Sequence, residues 1–243
     1  DREAVLGRAR QAGVVAVVAV AEMLGDAEKN VSLAQSFPGV VFPAAGLFPT
    51  ILDRAAAQAV CTFARDHRHE LIAIGEVGLD HWKIQEPAER EIQALIFRQF
   101  IDLSIDLDLP LNVHSRAAGR ATIELLLASG ASRVQLHAFD GRAAKAWPAV
   151  EAGYYFSIPA SIVRSAQKQK LVRRLPLECL LVETDSPVLG PQADQRNEPA
   201  NLKVAVAAIA EIKAISVSEV TAAVTANTVR LYGDRLSSDG GDS

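Results

Sequence analysis

Cysteine is scarce in this chain. Only Cys61 and Cys179 occur, far apart. Two distant thiols do not make a disulfide framework, so they read as small core residues of a cytoplasmic protein. Aromatic residues make up 5% of the chain, which leaves Val, Leu, Ile and Ala to build most of the core. Neither charge sign predominates. The net charge of -4 gives no sign of a strongly basic nucleic-acid surface. It does not exclude phosphate substrates, because bound cations would dominate the local field. The apolar run 13–21 is far too short to span a bilayer, and no signal peptide is recognisable. No membrane contact and no obligate protein partner is therefore expected. No Pro/Gly-rich linker divides the chain, and no G-x-G-x-x-G stretch occurs.

What is present is alternation. The chain has 243 residues, 49% of them apolar, enough for one (β/α)-barrel or two small domains. Short, nearly continuous apolar runs at 14–20, 40–45, 71–75, 109–114, 134–138, 154–158 and 180–184 read as parallel strands buried on both faces. Between them lie helical patterns. The clearest is 89–107, where Ile92, Ile96, Gln99, Phe100 and Leu103 recur at spacings of three and four. Further helices are expected at 117–128, 143–152, 161–175, 199–213 and 216–232, the last opened by Ser216 and Glu219 at capping-box spacing. The first residues give a helix around Val5, Leu6 and Ala9 that stops at Gly13.

Repeated βα units imply right-handed crossovers and a parallel sheet. Seven strands are one short of a closed TIM (β/α)8 barrel. No strand precedes the first helix, and the chain begins at Asp1. The expectation is one barrel-type domain over 1–236 that lacks its first β-strand, with 237–243 as a disordered tail. An open doubly wound sheet is the architectural alternative.

Four strand-like segments end in metal-capable side chains: Glu76, His114, His137 and Asp185. Strand ends that converge in a parallel barrel bring distant residues into one pocket. Two imidazoles and two carboxylates delivered in this way read as a divalent-metal hydrolase. Each has an ordinary alternative. Glu76 could pair with an arginine; either histidine could be a satisfied core residue; Asp185 could cap a helix. Glu183 shares a strand face with Asp185, and Asp185, nearer the tip, is preferred as the ligand. Asp80 follows Glu76 in the loop and could orient a ligand or an arginine. His67 and His69 read as solvated loop despite their H-x-H spacing. Arg116 and Arg196 offer guanidinium forks for phosphate oxygens. Arg142 and the basic segment 164–174 read as solvated surface.

The ordered motifs GEVGLD, LNVHSR, LHAFDG, GYYFSIP, LLVETDSPVLGP and RNEPAN closely resemble the TatD family of metal-dependent deoxyribonucleases, most of all its third TatD-domain-containing subfamily. The resemblance implies a TIM-barrel phosphodiester hydrolase acting on DNA, with two divalent ions (Mg, Mn or Zn) per subunit. It assigns Glu76 to both metals, His114 and His137 to one, and Asp185 to the other and to proton abstraction from the nucleophilic water. Two departures stand out. The family's opening D-x-H-x-H strand is absent, which predicts impaired activity for this chain. Segment 46–49 reads G-L-F-P, so Phe48 takes the place of the histidine in the family's G-x-H-P.

Two rival readings remain. A metal-dependent amide or ester hydrolase could use the same barrel, but such sites often carry a bridging modified lysine, and no lysine stands beside Glu76. A non-catalytic nucleic-acid- or protein-binding relative is the other.

Overall fold

The short apolar runs form strands because helices cover the sheet and leave no polar face for alternation to mark. The computed structural model describes residues 1–233 and 236. The seven strands are β1 (Val17–Ala19), β2 (Val41–Ala45), β3 (Ala73–Gly78), β4 (Leu111–His114), β5 (Val134–His137), β6 (Tyr155–Pro159) and β7 (Leu180–Glu183). They pair in the order of the chain, every neighbour parallel. This order has no reversal point, so the doubly wound alternative is wrong. The sheet curls into a half-barrel, as expected for the barrel-type fold. Among the described residues no pairing joins β7 back to β1. The expected tail at 237–243 lies outside the described residues.

Helices α1 (Arg2–Gln11), α2 (Leu24–Ser36), α3 (Arg54–Asp66), α4 (Pro87–Asp106), α5 (Gly119–Ala128), α6 (Ala143–Glu151), α7 (Ala166–Arg174), α8 (Leu202–Lys213) and α9 (Val217–Tyr232) accompany the strands. The α9 capping box forms as its sequence predicts: Ser216 Oγ accepts from the Glu219 amide, and the Glu219 carboxylate accepts from the Ser216 amide. Helix α1 packs on the short 3-10 turn Pro199–Asn201, with the Arg8 guanidinium forked onto Glu198.

Three expectations need correction. Strand β1 starts at Val17, three residues late, and Val15 is exposed. The stripe on α4 is turned: Gln93, Ile96, Phe97, Phe100, Ile101 and Ser104 are buried, while Ile92 reaches solvent. Gln93 sets this rotation. It is 1% exposed, its amide donates to the Pro49 carbonyl (2.7 Å), and its oxygen accepts from the Asp80 amide (3.3 Å). The helix expected at 161–175 is two elements, a 3-10 turn at Ala160–Arg164 and then α7. Ser165 separates them by adopting an extended backbone and capping α7, its Oγ accepting from the Lys168 amide. The competing local hydrogen bond ends one helix and starts the next.

The main core lies between sheet and helices, with Phe97, Phe100, Phe139 and Phe156 among its largest fully buried side chains. Each such ring is worth about 1.5–3 kcal/mol of apolar burial. A second cluster joins Ala44, Ile72, Leu181 and the end of α9 at Leu231 and Tyr232. Tyr232 Oη donates to Gln135, Gln135 Nε2 to Ser157 Oγ (2.8 Å), and Ser157 Oγ to Glu183 (2.5 Å). This buried polar chain leads from the second cluster toward the strand ends. Cys61 and Cys179 are buried free thiols, as their spacing suggests.

Candidate metal centre

Strand β3 carries Glu76 inside the strand, not at its tip. Pairing with β4 shifts register between Ile74 and Val77, and the Gly75–Glu76 peptide is cis. Ala21, just beyond β1, pairs with this stretch: its amide donates to the Gly75 carbonyl and its carbonyl accepts from the Glu76 amide, both at 3.1 Å. From the other side Gly46 presses close. A Cβ there would lie 2.4 Å from the Gly75 carbonyl carbon and 2.5 Å from the Glu76 amide nitrogen. At the end of β3, Gly78 has φ +144 and passes so near His114 that a side chain would meet its carbonyl oxygen at 2.1 Å. Glycine is required at both positions.

These contacts aim the Glu76 carboxylate at His114 and His137, the last residues of β4 and β5. Glu76 Oε1 lies 2.6 Å from His114 Nδ1 and 3.0 Å from His137 Nε2, and the two ring nitrogens are 3.4 Å apart. One ligand atom from each of the three residues falls within 4.8 Å of the other two. Ligand bonds of about 2.0–2.2 Å would set such atoms about 3 Å apart, so a carboxylate and two imidazoles at these separations fit a divalent cation with small adjustment.

The surrounding residues orient the ligands. Asp80, 1% exposed, accepts from His114 Nε2 at 3.1 Å. A carboxylate behind a metal-binding histidine fixes its tautomer and raises its basicity. Glu183 accepts from the Ala138 amide (2.9 Å) and Ser157 Oγ, and its Oε2 lies 3.7 Å from His137 Nδ1. Ala138 itself has φ 42, an uncommon backbone for a residue with a side chain. Glu183 holds its amide, and Lys168 Nζ donates to its carbonyl at 2.8 Å.

Burial pushes the Glu76 carboxyl up, but hydrogen bonds and charge from His114 and His137 outweigh it and hold the group at about 2. Burial likewise works against a proton on His137, yet Glu183 and Glu76 overcome it and raise this imidazole well above its ordinary 6.5. A cation must therefore displace a proton from His137. Its affinity should rise with pH over the neutral range, with protons released on binding. Calorimetric titration of Mn²⁺ in buffers of different ionisation heat measures this release. Affinity that does not change between about pH 6 and 8 would contradict it.

The structure gathers three of the four expected ligands directly. Asp185 is beside them, its Oδ1 4.0 Å from His137 Nδ1. Burial, with repulsion from Glu183 and Glu76, raises its carboxyl to about 6 against the pull of His137. No helix begins there; a turn carrying the cis Ser186–Pro187 bond follows. Glu76 pairs with histidines, not arginine. Phe48 sits edge-on to His114, ring centroids 5.2 Å apart. Arg116 is exposed, its guanidinium 3.8 Å over the Trp82 ring. Arg196 is also exposed and bonds Asp1 at 2.6 Å. His67 caps α3 and meets Glu70 at 2.6 Å, and His69 is exposed.

Sequence reasoning misses two functional neighbours. Lys168 reads as part of a solvated basic face, but it shares its side of α7 with buried Leu171 and Val172, a three- and four-residue spacing that is legible in the sequence. Glu22, just past β1, lies in the field of Glu76. Burial raises its carboxyl, and repulsion from Glu76 and Asp26 adds to that.

A carboxylate from within one parallel strand, meeting two imidazoles at the carboxyl ends of the next two, defines a metal-dependent hydrolase of the β/α-barrel class. Residues 1–233 match the sequence model of the family described as TatD related DNase. The chain belongs to that family. It is 46% identical to deoxyribonuclease TATDN3 of Homo sapiens, over 96% of this chain and 89% of that protein. It is 37% identical to an uncharacterized metal-dependent hydrolase, TatD, of Mycobacterium tuberculosis, over 93% of this chain and 89% of the other. Among solved structures, the TatD homolog YJJV from Escherichia coli superposes with a TM-score of 0.86 at 26% identity, covering 96% of this chain and 92% of that one.

Proposed function

We infer that this chain is a metal-dependent phosphodiester hydrolase acting on DNA. The observation that carries this reading is the Glu76–His114–His137 cluster in a chain matched by the DNase family over residues 1–233. The reading assigns two divalent ions to the intact site, Mg, Mn or Zn, with Glu76 reaching both, His114 and His137 serving one and Asp185 serving the other. Bound there, the ions would supply charge for the phosphoryl oxygens and lower the pKa of a water.

The chain's own groups then have separate tasks. Asp185, its Oδ1 4.0 Å from His137 Nδ1, is the group this reading assigns to take the proton. Glu183 and Asp80 hold the imidazoles in orientation. Arg116, two residues past His114, and Arg196 on the loop after β7 are the cations assigned to substrate phosphates. Phe48 supplies an apolar edge against His114 where a histidine would add a polar contact.

End-labelled single-stranded oligonucleotide, incubated with Mg²⁺ or Mn²⁺ and then with EDTA, tests the reading. Cleavage that stops with chelation and resumes with added metal is expected. Cleavage indifferent to EDTA, or hydrolysis of amide substrates with none of DNA, would reject it.

A further inference from the structure

Trp82 is half exposed, and between residues 76 and 91 it is the one large apolar side chain open to solvent among the described residues. The groups stacked on it are cations. The Arg116 guanidinium lies 3.8 Å from the ring centroid and the Lys83 ammonium 4.7 Å. Core packing does not explain an indole in this setting, because the neighbouring apolar residues Leu79 and Ile84 turn inward without it.

The loop that presents Trp82 is tied down. Asp80 Oδ1 accepts from the amides of Trp82 (3.0 Å) and Lys83 (2.8 Å), while Asp80 Oδ2 takes the hydrogen bond of His114 Nε2 (3.1 Å). One buried carboxylate thus fixes both the indole's backbone and a ring of the metal cluster. The His81 amide donates to the Arg116 carbonyl at 3.0 Å. Arg90 donates to the carbonyls of Ile84 (2.9 Å) and His81 (3.2 Å). The indole and its two cations are therefore held in a set position relative to the cluster.

We propose that Trp82, Arg116 and Lys83 form a base-stacking subsite for an unpaired nucleotide of single-stranded DNA, next to the phosphodiester presented to Glu76, His114 and His137. The subsite rests on the phosphodiesterase reading and adds to it the side chains that receive the base. The indole face that Arg116 does not cover accepts any base, and the cations beside the ring meet the adjoining phosphates. A duplex keeps its bases stacked on one another, so the subsite selects unpaired strand. A protein partner would be expected to find further apolar surface around the ring; here charge complementarity to a polyanion takes its place.

The test uses Trp147→Phe, which leaves Trp82 as the single tryptophan of the two. Its fluorescence is followed during titration, in Mn²⁺, with a hydrolysis-resistant phosphorothioate oligothymidylate and with an abasic strand of equal length and charge. Quenching by oligothymidylate is expected, with the abasic strand binding about tenfold more weakly. By anisotropy of labelled strands, Trp82→Ala should weaken oligothymidylate about tenfold and abolish its advantage over the abasic strand. Trp82→Phe should restore most of that advantage. Absence of quenching, or equal loss on both strands in Trp82→Ala, overturns the proposal. Hydrolysis of unmodified strand is scored separately: its absence counts against the nuclease reading, and the base-against-abasic comparison stands without it.

Discussion

Glu76→Ala should lose metal-dependent DNA cleavage by roughly a thousandfold or more in kcat/KM. The carboxylate lies between both imidazoles, 2.6 Å from one and 3.0 Å from the other. No other carboxylate forms the three-residue cluster with them among the described residues. Glu76→Gln, which keeps the shape and loses the charge, should fall nearly as far, which separates ligation from packing. Steady-state cleavage of a labelled oligonucleotide, with far-UV circular dichroism to confirm folding, decides the matter. A folded Glu76→Ala protein that cleaves at the wild-type rate would show that the cluster is not the catalytic centre.

Gly46→Ala should cost about 3 kcal/mol of stability, at the upper end of what overpacking does. The added Cβ meets backbone, not a side chain that can turn away: Gly75 C at 2.4 Å and Glu76 N and O at 2.5 Å. Relief requires shifting the segment that carries the metal carboxylate, so metal affinity should fall together with stability. Gly25, inside α2, is the control, because a methyl group added there would have nothing within 4 Å. Gly25→Ala should be neutral or stabilise by about 0.5–1 kcal/mol, the helix preference for alanine. Urea unfolding measures both. A Gly46→Ala midpoint equal to wild type would show that the β2–β3 approach is not as tight as described.

Much of this architecture is legible because parallel strands are buried on both faces and announce themselves as apolar runs. All seven lie within a few residues of the limits those runs suggest. The histidines at the ends of β4 and β5 are legible for the same reason, since each closes such a run. The placement of Glu76 is less so. It reads as a residue beyond a strand ending at Gly75, but β3 continues to Gly78 through a register shift. The rotation of α4 depends on Gln93, a polar residue buried by hydrogen bonds that no apolar periodicity registers. The break at Ser165 is hidden because its flanks are both helix-compatible and the cap bond is local. Lys168 reads as surface because its charge outweighs its spacing. Arg196 has a partner that no local spacing announces: its exposed guanidinium bonds Asp1, 195 residues away in the chain.

The central claim is that Glu76, His114 and His137 hold one cation among them. An anomalous difference map from Mn²⁺-soaked crystals tests it most directly. The expected result is a peak about 2.0–2.2 Å from Glu76 Oε1 and from a ring nitrogen of each histidine. A peak that any of the three does not touch, with all three side chains ordered, would contradict it.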